Sequence, residues 1–340
     1  MTDRPRLTPE VADARRAVRE FLQNQNLRPG SVILLGVSGG GDSIALAAAA
    51  AFEAPKLGLV TGAVIVDHGL QKGSDEVAAK AAATCEQLGL SPVIVSKVHV
   101  QQSGEGLEAA ARDARYQAIE KARIEQGAEL VLLAHNLEDQ AETVLLGLAR
   151  GSGLSSISGM DEFDPARNLG RPFLNLQRDA LRKSCSDQGI GYWDDPHNQD
   201  EKFLRVKVRN LLSDLEETLG PGFAKSLSKT ASIAADADEV ITALAAELIA
   251  GAKAQGSARE ISYLIAPFAT ADRAVRTKAL FLISQRAGAR NISAAQIEQL
   301  DELITNWHGQ KPANLSGITV ERVKDLLVFR PATSPKPGAC

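Results

Sequence analysis

The spacing of apolar residues along this chain falls into two regimes. In the first, compact apolar runs of strand length alternate with stretches that repeat every three or four positions. In the second only the helical period remains. Thr8 predicts a helix cap with Pro9 at the first position, and Val11, Ala14, Val18, Phe21 and Leu22 then recur at helical spacing before Gly30. Val32 to Leu35 reads as a buried strand and the Ala-rich run Ile44 to Ala51 as a helix. Ala63 to Val66 is a second strand, Ser74 opens a helix that stops at Gly89, and Pro92 to Val100 is a third strand. A polar loop, Gln101 to Gly106, leads into a helix over Leu107 to Gln126, closed by Gly127. Leu130 to Leu133 is the fourth strand, with a further helix after it. Four strand-then-helix alternations predict an α/β fold, a doubly wound parallel sheet with its ligand at the carboxyl ends of the strands.

Beyond this the texture changes. Arg150 to Met160, RGSGLSSISGM, is too rich in small residues for a regular element and is expected to be a loop. Past Asp214, Leu227, Ala231, Ala234, Ala237, Ile241, Leu244 and Leu248 define one long amphipathic helix, and Thr270 to Ala287 a second. Ser293 and Gln296 form a capping box for a third, carrying Ile297, Leu300, Leu303 and Ile304. Ile318 to Val320 and Leu326 to Phe329 are expected to pair as a hairpin. The predicted division is a catalytic domain over 1–213, a smaller, mainly helical accessory domain over 214–330, and a Pro-rich disordered tail over 331–340.

Polar chemistry gathers where the predicted strands end. After the first strand comes Ser38-Gly39-Gly40-Gly41-Asp42-Ser43, followed at once by a helix. A strand, a glycine turn and a helix N-terminus make an anion site, because free backbone N–H groups point outward and glycine lets phosphate oxygens approach. The spacing is neither GxxxxGK[ST] nor GxGxxG, and it resembles the PP-loop of the ATP pyrophosphatase superfamily. The second strand ends in Asp67-His68, where the Asp can accept from a ribose or equally well form a turn. Glu108, Arg112 and Arg115 lie on one helical face, either as an ion-pair ladder or, for Arg112, in a phosphate role. The fourth strand ends at His135, and Asp139 and Glu142 follow on one side of the next helix. Two acids there suit Mg2+ or an ammonium group, although acids also stabilise a helix N-terminus.

Composition changes this picture little. Net charge is −4, with 44% hydrophobic and 24% charged residues, so a nucleic-acid partner would need a local basic site. Such a site is present: Arg167, Arg171, Arg178, Arg182 and Lys183 face the single acid Asp179, and Lys202, Arg205, Lys207 and Arg209 follow. Bases at alternate positions share one side of an extended strand or wrap around a helix. Cys85, Cys185 and Cys340 are far apart and form no CxxC, which fits a reducing compartment. No run of membrane length or signal-peptide core is found, and a cytoplasmic protein without membrane attachment is expected.

Taken together, the motifs resemble the tRNA(Ile)-lysidine synthetase family from about Ser31 to Pro221. The match consists of the PP-loop, VDHGL at 66–70, EAAARDARY at 108–116, AHNLEDQAET at 134–143 running into RGSGLSSISGM, Arg171-Pro172, and Asp195-Pro196-His197-Asn198. Gln71 stands where the family often has Arg, Glu138 where it has Asp, His197 where Ser is common, and Val206 where Asn is frequent. These departures bear on recognition and leave the catalytic core untouched.

The resemblance implies a two-step reaction. ATP adenylates the C2 oxygen of cytidine 34 in an isoleucine tRNA with a CAU anticodon, releasing pyrophosphate. The amine of free L-lysine then displaces AMP, giving lysidine and changing codon reading from AUG to AUA. The lysine amine, with an ordinary pKa of about 10.4, must lose a proton before it attacks. The resemblance implies ATP binding by Ser38, Gly39, Gly40, Gly41, Asp42, Ser43, Asp67, His68 and His135. It implies catalytic roles for Asp42, Arg112, Asp139 and Glu142, Mg2+ on Asp42 and Asp139, and tRNA contacts by Arg171, Arg205, Lys207 and Arg209. It also allows a homodimer. The rival readings are another PP-loop tRNA-modifying enzyme, such as a 2-thiolase or an amidotransferase-fed synthetase, and a non-catalytic RNA-binding protein that keeps ATP as a structural ligand.

Overall fold

The computed structural model describes residues 7–69, 73–98, 107–151, 153–194, 204–254 and 260–332. Expectations for Leu70, Gln71, Gln101 to Gly106, Asp195 to Asn198, Lys202, Cys340 and the tail from 333 onward fall outside these residues. The chain forms two compact units, one from the residues up to Leu146 together with Gly159–Lys229, the other from Gly147–Ser158 together with Thr230 onward.

The first unit is built on a six-stranded sheet of β1 (Val32–Gly36), β2 (Val60–Asp67), β3 (Val93–Lys97), β4 (Leu130–Leu133), β5 (Phe163–Asp164) and β6 (Leu169–Gly170). The order is β3-β2-β1-β4-β6-β5, parallel except for the last pair. The four expected strands are present. β2 starts three residues earlier than Ala63, because Val60 is exposed and Thr61 is polar, which hides the apolar signal. β5 and β6 have two residues each, too few to show any period.

Helices α1 (Pro9–Gln23), α2 (Gly41–Glu53), α3 (Ser74–Gln87), α4 (Leu107–Glu125) and α5 (Leu137–Arg150) follow the predicted alternation. α6 (Leu154–Ile157) is one helical turn within the stretch expected to be an irregular loop. α7 (Arg178–Asp187) and α8 (Leu204–Leu219) come next. Thr8 is the cap of α1 through its backbone only, its carbonyl accepting from Ala12 N–H at 3.0 Å, with no side-chain capping bond. One sheet face packs Ile33 and Leu35 against Val18 and Phe21 of α1, Ile44 and Leu46 of α2 and Leu181 of α7. The other packs Leu34, Val64 and Val131 against Ile119 and Ala122 of α4.

The domain boundary set at 213/214 falls inside α8. Leu212 is buried with Ala141 of α5 and with Ala224, which keeps α8 and the first turns of α9 (Phe223–Ala252) in the first unit.

In the second unit, β7 (Ile261–Leu264), β8 (Ala313–Leu315), β9 (Ile318–Val323) and β10 (Leu326–Pro331) form an antiparallel sheet in the order β7-β10-β9-β8. The expected hairpin is β9–β10, extended on both sides by strands of three and four residues that carry little pattern of their own. Pro331, expected to open the tail, belongs to β10. α10 (Ile265–Thr270), α11 (Arg273–Arg286) and α12 (Ala294–Thr305) cover the sheet, and the Ser293–Gln296 capping box is present in full. The stretch after α5 is held within this unit. Lys278 Nζ lies 2.7 and 2.9 Å from the Asp238 carboxylate and 2.9 Å from Ser155 Oγ. A Cβ on Gly147 would stand 1.9 Å from the Ser156 carbonyl oxygen, so only glycine fits there. Among the described residues no helix is long and apolar enough to cross a membrane.

Candidate active site

β1 and β4 are neighbours, but the chain leaves them towards opposite sides of the sheet, and a crevice opens at such a switch point. The glycine loop lies there. Gly39 has φ +86°, a conformation that disfavours any side chain, and its carbonyl accepts from Trp193 N–H at 2.9 Å. Ser43 Oγ donates to the Gly40 carbonyl at 2.8 Å and accepts from Ser38 N–H at 3.2 Å. These bonds brace the loop, and the first N–H groups of α2 are left for an anion.

Asp42, in the first turn of α2, is held from the other side of the switch point. Asn136 Nδ2 donates to Asp42 Oδ2 at 2.9 Å, while Asn136 Oδ1 accepts from Asp139 N–H at 3.0 Å and Asp139 Oδ2 from Asn136 N–H at 3.1 Å. One buried asparagine therefore caps α5 and ties both acids together. Arg178, at the start of α7, reaches Asp139 at 3.1 Å, Asp42 at 3.7 Å and Glu142 at 3.8 Å. Its own N–H donates to Glu138 Oε2 at 3.0 Å. Glu142 is fully buried, and Arg209 Nε donates to it at 2.8 Å.

Two guanidiniums thus face three converging carboxylates. Burial pushes Asp42 up to about 6, with Arg178 pulling the other way and Asp139 adding to the rise. Burial likewise raises Glu142, opposed chiefly by Arg209. Among the described residues Asp42 Oδ1 and Glu142 Oε2 are buried without a hydrogen-bond partner. Unsatisfied hard oxygens of this kind suit Mg2+ or an ammonium group. The described residues contain no cage of three or more metal-ligating side chains, and Mg2+ typically binds through one or two carboxylates, with phosphates and water completing its shell.

The remaining expected residues fall into distinct places. Asp67 ends β2, and its carboxylate accepts from Gly69 N–H at 3.0 Å. That bond and the Ser74 hydroxyl hold it below its ordinary pKa, so it fastens a turn. His68 accepts from Arg115 Nε at 3.2 Å, and burial followed by that guanidinium lowers its pKa. Burial pushes His135 down to about 4 against the pull of Asp139, which makes it a neutral ring at pH 7. Arg112 Nη2 donates to the Tyr116 hydroxyl at 3.4 Å. Arg171 is buried and donates to the Asp161 carbonyl at 2.7 Å, away from any surface a polyanion would cover. On α8 the alternate bases fan around the helix. Lys207 is exposed, Arg205 is half-buried, and Arg209 is spent on Glu142.

Asn136 and Arg178 were not expected at the site. Asn136 stands before a helical run with Asp three residues on, a legible cap signal; Arg178 was grouped with its basic neighbours. Cys185 donates to the Gly41 carbonyl at 3.4 Å. Burial raises its thiol to about 12 and that of Cys85 to about 11, which keeps both protonated.

A family model described as PP-loop domain matches residues 11–216, and one described as TilS substrate binding domain matches residues 264–328. The chain is 46% identical over 308 residues to a tRNA(Ile)-lysidine synthase of Leifsonia xyli, covering 90% of this chain and 92% of that one. To the enzyme of the same name from Thermobifida fusca it is 43% identical over 315 residues, covering 91% and 94%, and to that from Salinispora arenicola 39% over 337 residues, covering 96% of each. Among solved structures, the U34-tRNA thiolase NcsA from Methanococcus maripaludis with its [4Fe-4S] cluster superposes with TM-score 0.54 at 18% identity, covering 65% of this chain and 78% of that one. That likeness establishes the PP-loop fold alone. Because sequence identity runs almost end to end and takes in both matched domains, this chain belongs to the tRNA(Ile)-lysidine synthase family.

Proposed function

We propose that this protein uses ATP to join L-lysine to C2 of cytidine 34 in a CAU-anticodon isoleucine tRNA, acting in the cytoplasm. The observation that carries the reading is the meeting of Asp42, Asp139 and Glu142 at the open end of the SGGGDS loop. In this scheme the loop amides and Arg112 take the charge that grows on phosphate during adenylation. Asp42 and Asp139 would hold Mg2+, which supplies charge neutralisation for the ATP phosphates when bound. Glu142, raised by burial and backed by Arg209, receives the lysine ammonium and takes a proton from it before attack. In the same scheme His135, neutral, and the Asp67–His68 turn would face the nucleoside of ATP. The decisive assay incubates the protein with ATP, labelled lysine and a CAU tRNA and looks for labelled nucleoside; its absence, with folded protein, overturns the proposal.

A division of labour between the acids follows. Glu142→Gln is expected to spare adenylation and block lysine transfer, so that adenylated tRNA accumulates in single turnover. Asp139→Asn, at the phosphate end, is expected to lose both half-reactions. Full lysidine formation by both variants would refute the roles given to this pair.

Arg205 and Lys207 of α8 are assigned to tRNA. Replacing Arg205 and Lys207 by Gln should weaken tRNA binding and lower its salt dependence, while ATP binding stays as it was. Arg209 is left out of that test because its loss would strand Glu142. An unchanged salt slope would return these bases to ordinary surface charge.

A further inference from the structure

A groove of about 770 Å³ runs along α4, away from the acid cluster. Its walls include Ile119, Ile124 and Leu169, and Ile124 is 64% exposed. At its head Tyr116 gathers two guanidiniums, that of Arg112 at 5.1 Å and that of Arg167 at 5.6 Å from the ring centroid. Among the described residues neither arginine has a carboxylate within ion-pair distance, whereas the groove's Glu120 and Glu125 are matched by Arg123 and Lys121. The groove therefore combines an apolar wall with an aromatic ring flanked by two guanidiniums, and its remaining acid, Asp113, lies beyond ion-pair distance of both. That is the chemistry of a nucleotide, a flat apolar base joined to an anionic phosphate.

From Arg112 to Ile124 the helix rises about 18 Å, room for a short piece of single strand. Arg112 also lies at the end of α4 nearest the carboxyl edge of the sheet, the edge on which the reaction centre opens. We infer that the groove holds unpaired nucleotides of the tRNA next to the modified base, the first with its phosphate on Arg167 and its base on Tyr116, the strand running on towards Ile124. The inference rests on the tRNA substrate proposed above.

Arg167 and Ile124 test it without touching catalytic groups, and both are exposed enough to change without unfolding the protein. Binding of a CAU anticodon stem-loop RNA is measured across a salt series, alongside ATP affinity and sedimentation mass. Arg167→Gln should weaken RNA binding about five- to tenfold and lower the salt slope by about 0.7, the value for one single-strand phosphate contact. Ile124→Glu should weaken it about tenfold. ATP affinity, and turnover at saturating tRNA, should not change. RNA binding within twofold of wild type in both variants would overturn the inference. So would a loss of ATP affinity, which would place free nucleotide in the groove, or a change of mass in Ile124→Glu, which would make it a face between copies. Wild-type protein that binds the RNA through this groove but forms no lysidine would refute the proposed reaction and leave the groove assignment standing.

Discussion

Asp42→Asn is expected to give a protein that is harder to unfold and unable to release pyrophosphate. The amide keeps the shape of the carboxylate and can still accept from Asn136 Nδ2. What it removes is a negative charge that the native protein holds at a cost. Asp42 takes up its proton near pH 6 when folded, against an ordinary value of 3.8. Below about pH 4 the group is neutral in both states and that cost vanishes; as pH rises through 6 the folded protein must ionise it in a buried place, and stability is lost. A displacement of roughly two pKa units, at about 1.4 kcal/mol each, bounds the gain of the variant near 3 kcal/mol at pH 7. Melting curves at pH 7 and at pH 4 should show the gap open at the first and nearly closed at the second. Pyrophosphate release should fall by about three orders of magnitude, since the amide takes away the unpartnered carboxylate oxygen that the glycine loop presents to a cation. A variant less stable than wild type at pH 7, or one that turns over ATP normally, would show that the burden on Asp42 has been misjudged.

Arg178→Gln is expected to do the opposite to stability. Among the described residues its guanidinium is the one cation within ion-pair distance of Asp42, Asp139 and Glu142 together, and its side chain is only 17% exposed. Without it the three clustered acids keep Arg209, on Glu142, and the more distant Arg182 near Asp42, and stranding buried charge in this way costs about 3–5 kcal/mol. For a unit of this size that corresponds to a fall in Tm on the order of 10 °C. The loss should shrink when Asp42→Asn is added, because the second change removes one of the stranded charges, and the coupling should exceed about 1 kcal/mol. Chemical denaturation of the two single variants and the double variant measures it. Additive effects, or a single variant within about 1 kcal/mol of wild type, would mean that Arg178 is not what holds the acids together.

The sheet was legible because β1 to β4 each carry an unbroken run of at least three apolar residues. Ile33, Leu34 and Leu35, all fully buried, announce β1 without help from any neighbour. β5, β6, β7 and β8 stayed hidden because they are two to four residues long and, unlike the all-apolar β4, are too short or broken by a polar residue, so their partners alone make them strands. The same limit applied at the site. SGGGDS and the paired acids of α5 are local patterns, and both lie where they were expected. Arg178 and Arg209 are defined by acids in other elements, 39 and 67 residues away along the chain, so grouping charges by sequence neighbourhood assigned them to a polyanion surface. Asp67 shows the converse, a plausible ligand whose bonds are spent on its own turn.

The interrupted make-up of the second unit bears on how the protein is synthesised. Ser155 leaves the ribosome 83 residues ahead of Asp238 and 123 residues ahead of Lys278, the two side chains it bonds. At roughly 5–20 residues per second, the stretch after α5 spends about 6–25 s without its last partner. The PP-loop strands can be complete by then, and a cut at 229/230 leaves the first unit whole in the N-terminal fragment but splits the second between the two pieces. The N-terminal piece carries residues 147–158 with nothing to receive them, and the C-terminal piece presents Asp238 and Lys278 without the serine between them. Co-expressed halves should therefore associate through that stretch, with the C-terminal half depending on it to complete its unit.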